Sequence, residues 1–191
     1  MDFGSIVTYT LVTTNVPFSV NRNNGQLSLS GVIDYETTIE YTLEFEASDG
    51  QVPVRTALTN VSIRLTDVND NAPVMSQAVY AVLLPENHTQ GLPVITVSAQ
   101  DADGTVANNV VSYALQDAAF DNVSFAIDPD TGVIRAIGGF DYETRTSFSF
   151  SATATDNGSP ALTSSVATVT VRLENLNDNL PVFSPAVYQA K

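Results

Sequence analysis

The chain has no cysteine, no tryptophan, one histidine, two methionines and only 7 basic residues against 21 acidic ones in 191 positions. Each shortage removes a class of function. Without cysteine there is no disulfide staple and no thiolate to bind metal or attack a substrate, so stability must rest on the apolar core and on bound ions. A single histidine cannot furnish a zinc set, and no Gly-x-Ser-x-Gly or phosphate-binding loop occurs, which leaves little for catalysis. That histidine, His88, stands in Pro85-Glu86-Asn87-His88-Thr89 and reads as a surface-loop residue. The formal net charge of −14 argues against nucleic acid or an anionic membrane as partner. No apolar run approaches the roughly 20 residues of a membrane helix, and no basic-then-apolar leader opens the chain. Both absences are what an internal stretch of a longer protein is expected to show.

What the chain does have is a repeat. Asp67-Val68-Asn69-Asp70-Asn71-Ala72-Pro73-Val74 returns as Asn175-Leu176-Asn177-Asp178-Asn179-Leu180-Pro181-Val182, at an offset of 108. Asp34-Tyr35-Glu36 returns as Asp141-Tyr142-Glu143, Ala47-Ser48-Asp49 as Ala154-Thr155-Asp156, and Phe18 with Gly25 as Phe125 with Gly132, all at an offset of 107. Ordered landmarks at one spacing define a repeat unit the size of a small domain. The unit is long enough to bury its own core. Short stretches dense in Asp, Asn and carbonyl oxygen suit hard cations, and their tandem recurrence implies calcium between repeated modules.

Period-two alternation dominates. Tyr41, Leu43, Phe45 and Ala47 alternate with Thr42, Glu44, Glu46 and Ser48, and Phe148, Phe150, Ala152 and Ala154 alternate with serine and threonine one repeat later. Val61, Ile63 and Leu65 predict a last strand, matched by Val169, Val171 and Leu173. Each last strand runs directly into an Asp/Asn segment, which puts the candidate ligands at the end of a sheet. Turns are expected at Asn23-Asn24-Gly25, Asp128-Pro129-Asp130-Thr131-Gly132 and Asp156-Asn157-Gly158-Ser159-Pro160. Many short strands with such turns read as an all-β sandwich. Pro73 and Pro181 fix φ and withhold a ladder donor where one repeat hands over to the next, which favours a stiff junction.

The ordered set Pro85-Glu86-Asn87, Asp101-Ala102-Asp103, Asp141-Tyr142-Glu143, Ala154-Thr155-Asp156 and the Asn-Asp-Asn segments resembles the extracellular cadherin repeat over essentially the whole chain. The resemblance implies tandem seven-stranded antiparallel Greek-key, immunoglobulin-like sandwiches joined end to end, with calcium clamped at each junction. It divides the chain into residues 1–71, a repeat truncated at its N-terminus; 72–179, a complete repeat; and 180–191, the first strand of a third.

If the cadherin pattern holds, the first junction gathers Asp34, Glu36, Asp67, Asn69 and Asp70, then Asp101, Asp103 and Asp156 from the next repeat, with backbone carbonyls at Val68, Asn71 and Asn108. Asn108 is placed by Asn108-Asn109-Val110-Val111-Ser112-Tyr113, which is similar to the family's Asn-x-x-Ile-x-Tyr run. The second junction draws on Glu86, Asp141, Glu143, Asn175, Leu176, Asn177, Asp178 and Asn179. Asn175 stands where the family pattern has Asp, so the second site is expected to be the weaker. Ligands must converge from several loops because calcium takes six to eight oxygens. The resemblance further implies calcium-dependent cell adhesion, homophilic or heterophilic, by a glycoprotein on the extracellular face of the plasma membrane, its parent a larger single-pass protein. The alternative is a heterophilic receptor-binding, matrix-binding or spacer module. An enzyme is the remote third reading: paired carboxylates imitate a glycosidase, but at repeat ends they form no cleft. Four Asn-x-Ser/Thr sequons, at Asn60, Asn87, Asn122 and Asn157, are acceptors for N-linked sugar in a secreted chain. Pro160 follows the last of them.

Overall fold

The computed structural model describes residues 6–182, so most of the expected strand at 180–191 lies outside the described residues. By its contacts the chain divides into two units, one of residues 1–70 with 102–108 and the other of residues 71–101 with 109–191.

In the first unit, β1 (Thr8–Leu11), β4 (Glu40–Ser48) and β5 (Thr56–Arg64) form one antiparallel sheet in the order β1-β4-β5, and β2 (Phe18–Val20) pairs with β3 (Leu27–Leu29). The alternating residues face one another across the ladder: Tyr41 lies opposite Ile63 and Leu43 opposite Val61. Gly25, at φ +72, closes the β2–β3 turn, and a Cβ there would stand 3.2 Å from the Tyr9 ring. Only glycine fits both constraints without strain. Leu43 is fully buried. Phe18 and Tyr41, which meet edge to face at 5.1 Å, remain half-buried.

The second unit comprises β6 (Val74–Met75), β7 (Val79–Pro85), β8 (Pro93–Thr96), β9 (Ala99–Gln100), β10 (Val111–Gln116), β11 (Ser124–Ile127), β12 (Val133–Ile137), β13 (Ser147–Asp156) and β14 (Ala167–Glu174). One sheet runs β10-β13-β14-β7 and the other β11-β12-β8, with β6 on β9. Pairing is antiparallel throughout except between β7 and β14. The chain pairs first with β9 through β6, then crosses at residues 76–78 to β14, so the opening strand of the repeat serves two ladders. Phe148, Phe150, Ala152 and Ala154 point inward from β13, and Ala167, Val169, Val171 and Leu173 from β14; the alternate residues are exposed or partly covered except Thr153, which is also buried. Phe125 fills the opposite wall, stacked 4.5 Å from Phe150. Gly132, at φ +69, lets the turn before β12 approach so closely that a Cβ would lie 2.2 Å from the Val97 carbonyl.

The single helix among the described residues is the one turn α1 (Val106–Asn109). No helix among them is long and apolar enough to cross a membrane.

Candidate metal centres

Both Asp-Tyr-Glu-Thr segments fold into the same local device. Asp34 Oδ1 accepts the amides of Glu36 at 2.9 Å and Thr37 at 3.2 Å, and its Oδ2 accepts the Thr37 hydroxyl at 2.8 Å. Asp141 repeats this with Thr144, whose amide lies at 3.2 Å and whose hydroxyl lies at 2.7 Å. The threonine hydroxyls, ahead of the backbone amides, hold both carboxyls below the usual aspartate range. Each Asp thereby fixes a turn that presents the glutamate two residues on, Glu36 or Glu143. Thr37 and Thr144, 107 residues apart, were visible as a repeat in the sequence but not as partners of the aspartates.

The glutamates are where the acids converge. Carboxylate oxygens of Glu36, Asp70 and Asp103 lie within 4.8 Å of one another, as do those of Glu86, Glu143 and Asp178. Glu36 and Glu143, like Asp70 and Asp178, are repeat equivalents, so two members of each triplet recur and the third differs. The turns beneath them match as well: the Asp70 amide donates to the Val68 carbonyl at 2.9 Å and the Asp178 amide to the Leu176 carbonyl at 3.0 Å. Those carbonyls keep a second lone pair.

In the first triplet Asp103 is 2% exposed, and Glu36 is pushed above the usual glutamate range, chiefly by desolvation and further by the charges of Asp70 and Asp67. Asp67 is held in the opposite sense. Its Oδ2 accepts the Thr105 hydroxyl, the Thr105 amide at 2.9 Å and the Asn108 Nδ2 at 3.0 Å. The Thr105 hydroxyl is the main cause of its lowered pKa. The other oxygen, Oδ1, is buried and has no hydrogen-bond partner among the described residues. A buried, ionised oxygen with no donor is penalised by desolvation, and a cation removes that penalty. Gly104 N donates to Glu36 Oε1 at 3.2 Å, and a Cβ on Gly104 would stand 2.4 Å from the Tyr35 ring. Thr105 and Gly104 carried no signal in the sequence, since this chain holds no repeat equivalent of either.

In the second triplet Glu86 is 5% exposed and accepts two backbone amides, Tyr142 on Oε2 and Leu176 on Oε1, each at 2.7 Å. It thus ties the Asp-Tyr-Glu turn to the Asn/Asp segment of the same unit. Asp178 Oδ1 accepts Asn179 Nδ2 at 2.9 Å. Asn175 and Asn177 are exposed. Of the other sequence candidates, Asn69, Asn71 and Asp101 are half-buried. Asp156, 4% exposed, uses Oδ1 for the Gly158 amide at 2.9 Å and both oxygens for the Leu162 amide at 3.1 Å. Asp49, one repeat earlier, binds the amides of Gln51 and Arg55 in the same manner. His88 packs on Phe140, ring centroids 6.2 Å apart.

A donor set of carboxylates and carbonyls, without thiolate or imidazole, suits a hard cation of high coordination number such as calcium.

The model of the cadherin domain matches residues 4–66 and 80–174. The chain belongs to the cadherin family. It is 40% identical over 168 residues to the protocadherin-like wing polarity protein stan of Drosophila melanogaster, covering 88% of this chain and 5% of that protein. To human protocadherin Fat 1 it is 36% identical, covering 95% of this chain and 4% of the relative. Among solved structures, mouse cadherin-23 EC22-24 superposes with a TM-score of 0.83 at 28% identity, over 93% of this chain and 57% of that one. The cadherin repeats of protocadherin gammaB7 EC3-6, described as a cis-dimer, superpose with a TM-score of 0.82 at 32% identity, over 95% and 44%. The chain therefore spans a small fraction of these curated relatives. Cadherin repeats are extracellular modules of membrane-bound adhesion glycoproteins, they bind calcium as a family, and they are not enzymes.

Proposed function

We propose that these repeats bind calcium at the two carboxylate triplets and so serve calcium-dependent cell adhesion as part of a longer cell-surface protein. The observation that carries the reading is the duplicated triplet, Glu36/Asp70/Asp103 and Glu86/Glu143/Asp178, supported by the buried, partnerless Oδ1 of Asp67. Ionised carboxylates about 5 Å apart repel by on the order of 3 kcal/mol at an effective dielectric near 20. Calcium supplies the charge that cancels this repulsion. Glu36, Asp67, Asp70 and Asp103 would hold it at the first centre, and Glu86, Glu143 and Asp178 at the second. The remaining sequence candidates, Asp34, Asp101, Asp141 and Asp156 with the Asn side chains and carbonyls, complete the proposed ligand sets.

The chain's own residues do the mechanical work. The Asp34 and Asp141 turns aim the glutamates, Thr105 and Asn108 fix Asp67, and Glu86 fixes the amides of Tyr142 and Leu176. Extracellular modules bind calcium with Kd of about 10⁻⁴–10⁻³ M. At millimolar calcium each site then stabilises by roughly 1 kcal/mol through mass action. Melting in calcium against chelator, with limited proteolysis at residues 67–71, tests this: calcium raises Tm and protects the segment, and identical behaviour in both buffers sinks the reading. Aggregation of beads coated with the chain, in calcium, then separates homophilic adhesion from the receptor, matrix or spacer alternative.

A further inference from the structure

The fold treats the four sequons differently. Asn157 is already engaged, its Oδ1 accepting the Val110 amide at 3.2 Å within the turn that Asp156 ties. Asn87 adjoins the buried Glu86, and Asn60 lies mid-strand on β5 opposite Glu44. Asn122 occupies the tip of a tight turn: Ala119 bridges to Ser124 and the Phe120 amide donates to the Val123 carbonyl at 2.7 Å. Asp121 and Asn122 are left exposed at the tip.

A cavity of about 70 Å³ opens beside Asn122, lined by the rings of Phe120 and Phe148, by Arg145, by Val123 and Gly139, and by the polar residues Asp121, Asp141 and Thr144. The Arg145 guanidinium lies 5.0 Å from the Phe120 ring centroid and 5.7 Å from that of Phe148. No atom comes within 4 Å of where a Gly139 Cβ would stand. Aromatic carbon suits the C–H face of a pyranose, and a guanidinium offers donors to its hydroxyl and acetamido oxygens, the mixed lining that small-ligand sites use.

We propose that Asn122 is N-glycosylated and that its first N-acetylglucosamine rests against this cavity, whereas Asn157 stays bare because Pro160 directly follows its Asn157-Gly158-Ser159 sequon and disfavours transfer to the unfolded chain. The proposal depends on the extracellular reading, because the donor is a lipid-diphosphate-linked oligosaccharide of the secretory pathway. Asn122 Nδ2 forms a bond to the anomeric carbon, the bond from that carbon to the diphosphate oxygen breaks, Nδ2 gives up one proton, and the lipid diphosphate leaves. Nothing is oxidised or reduced. The sequon hydroxyl is that of Ser124. Transfer precedes folding, and the folded turn and cavity then hold the sugar.

The test is secretion of the whole chain from eukaryotic cells behind a signal peptide, followed by enzymatic deglycosylation in heavy-oxygen water and peptide mapping. Isotope-marked aspartate is expected at position 122 and not at 157. Hydrogen exchange at residues 138–145 is expected to be slower in the glycosylated chain than in the deglycosylated chain or in Asn122→Gln. Gly139→Leu fills the cavity but leaves the sequon intact, so it should keep the modification and abolish that difference in exchange. An unmodified Asn122 overturns the site, whether or not Asn60 or Asn87 carries sugar; because the signal peptide delivers the chain to the secretory pathway in every case, that outcome leaves the extracellular reading untouched. Exchange indifferent to the sugar overturns the cavity contact. Calcium-dependent melting is measured on the same samples, since Asp141 and Thr144 line this cavity and also form the turn that presents Glu143.

Discussion

Asp67 shows how one side chain can be built for two jobs. Its Oδ2 collects donors from Thr105 and Asn108, and its buried Oδ1 collects none among the described residues. Asn in its place must set an amide NH₂ either against those donors or in the buried position without an acceptor. Either choice is destabilising, partly offset by relief of repulsion with Glu36. Asp67→Asn is therefore expected to speed amide exchange at residues 102–108 in chelator and to weaken calcium binding in calorimetry. Unchanged exchange at Thr105 together with unchanged affinity would show that Asp67 anchors neither the loop nor the ion.

At the scale of elements, the paired turns and ladders carry the site. The alternation that predicted β4, β13 and β14 was legible because apolar and polar residues exchange at every step, whereas in β5 it holds only from Val61 on, after Ala57-Leu58 and Thr59-Asn60 break it. The acidic landmarks were legible because they recur. The partners that aim them were not: Thr105 and Gly104 act from a loop with no second copy, and the two amides that Glu86 binds come from the backbone, which leaves no mark on side-chain identity. The parallel pairing of β7 with β14 was equally hidden, since alternation fixes which face a residue takes and is silent on strand direction. The second Asn/Asp segment gives this scale its prediction. Asn175 is exposed, and its repeat equivalent is Asp67. In a chain extended at both ends, Asn175→Asp is expected to tighten calcium at the second centre, because charged ligands tune affinity. Calorimetric titration checks it, and unchanged or weaker affinity would place Asn175 away from the ion and break the proposed register of that segment.

Across the molecule, stability is unevenly distributed. Every residue of the buried apolar cluster, from Met75 through Phe125, Phe148 and Phe150 to Leu173, belongs to the second unit, whereas among the described residues of the first unit Leu43 is the one buried large hydrophobic side chain. Among the described strands β5 pairs only with β4, while its equivalent β14 is flanked on both sides by β13 and β7. An unpaired edge with half-covered apolar residues opens at low free energy. Amide exchange in chelator is accordingly expected to be slow through residues 75–175, approaching the global unfolding limit in β13 and β14, and much faster through residues 6–60. Calcium is expected to slow exchange at residues 67–70 and 102–108, where the first triplet sits, while changing β13 and β14 little beyond the mass-action gain. Exchange measured by mass spectrometry on monomeric protein decides it. Equal protection of the two units in chelator would mean that the first unit draws stability from a source other than its apolar core.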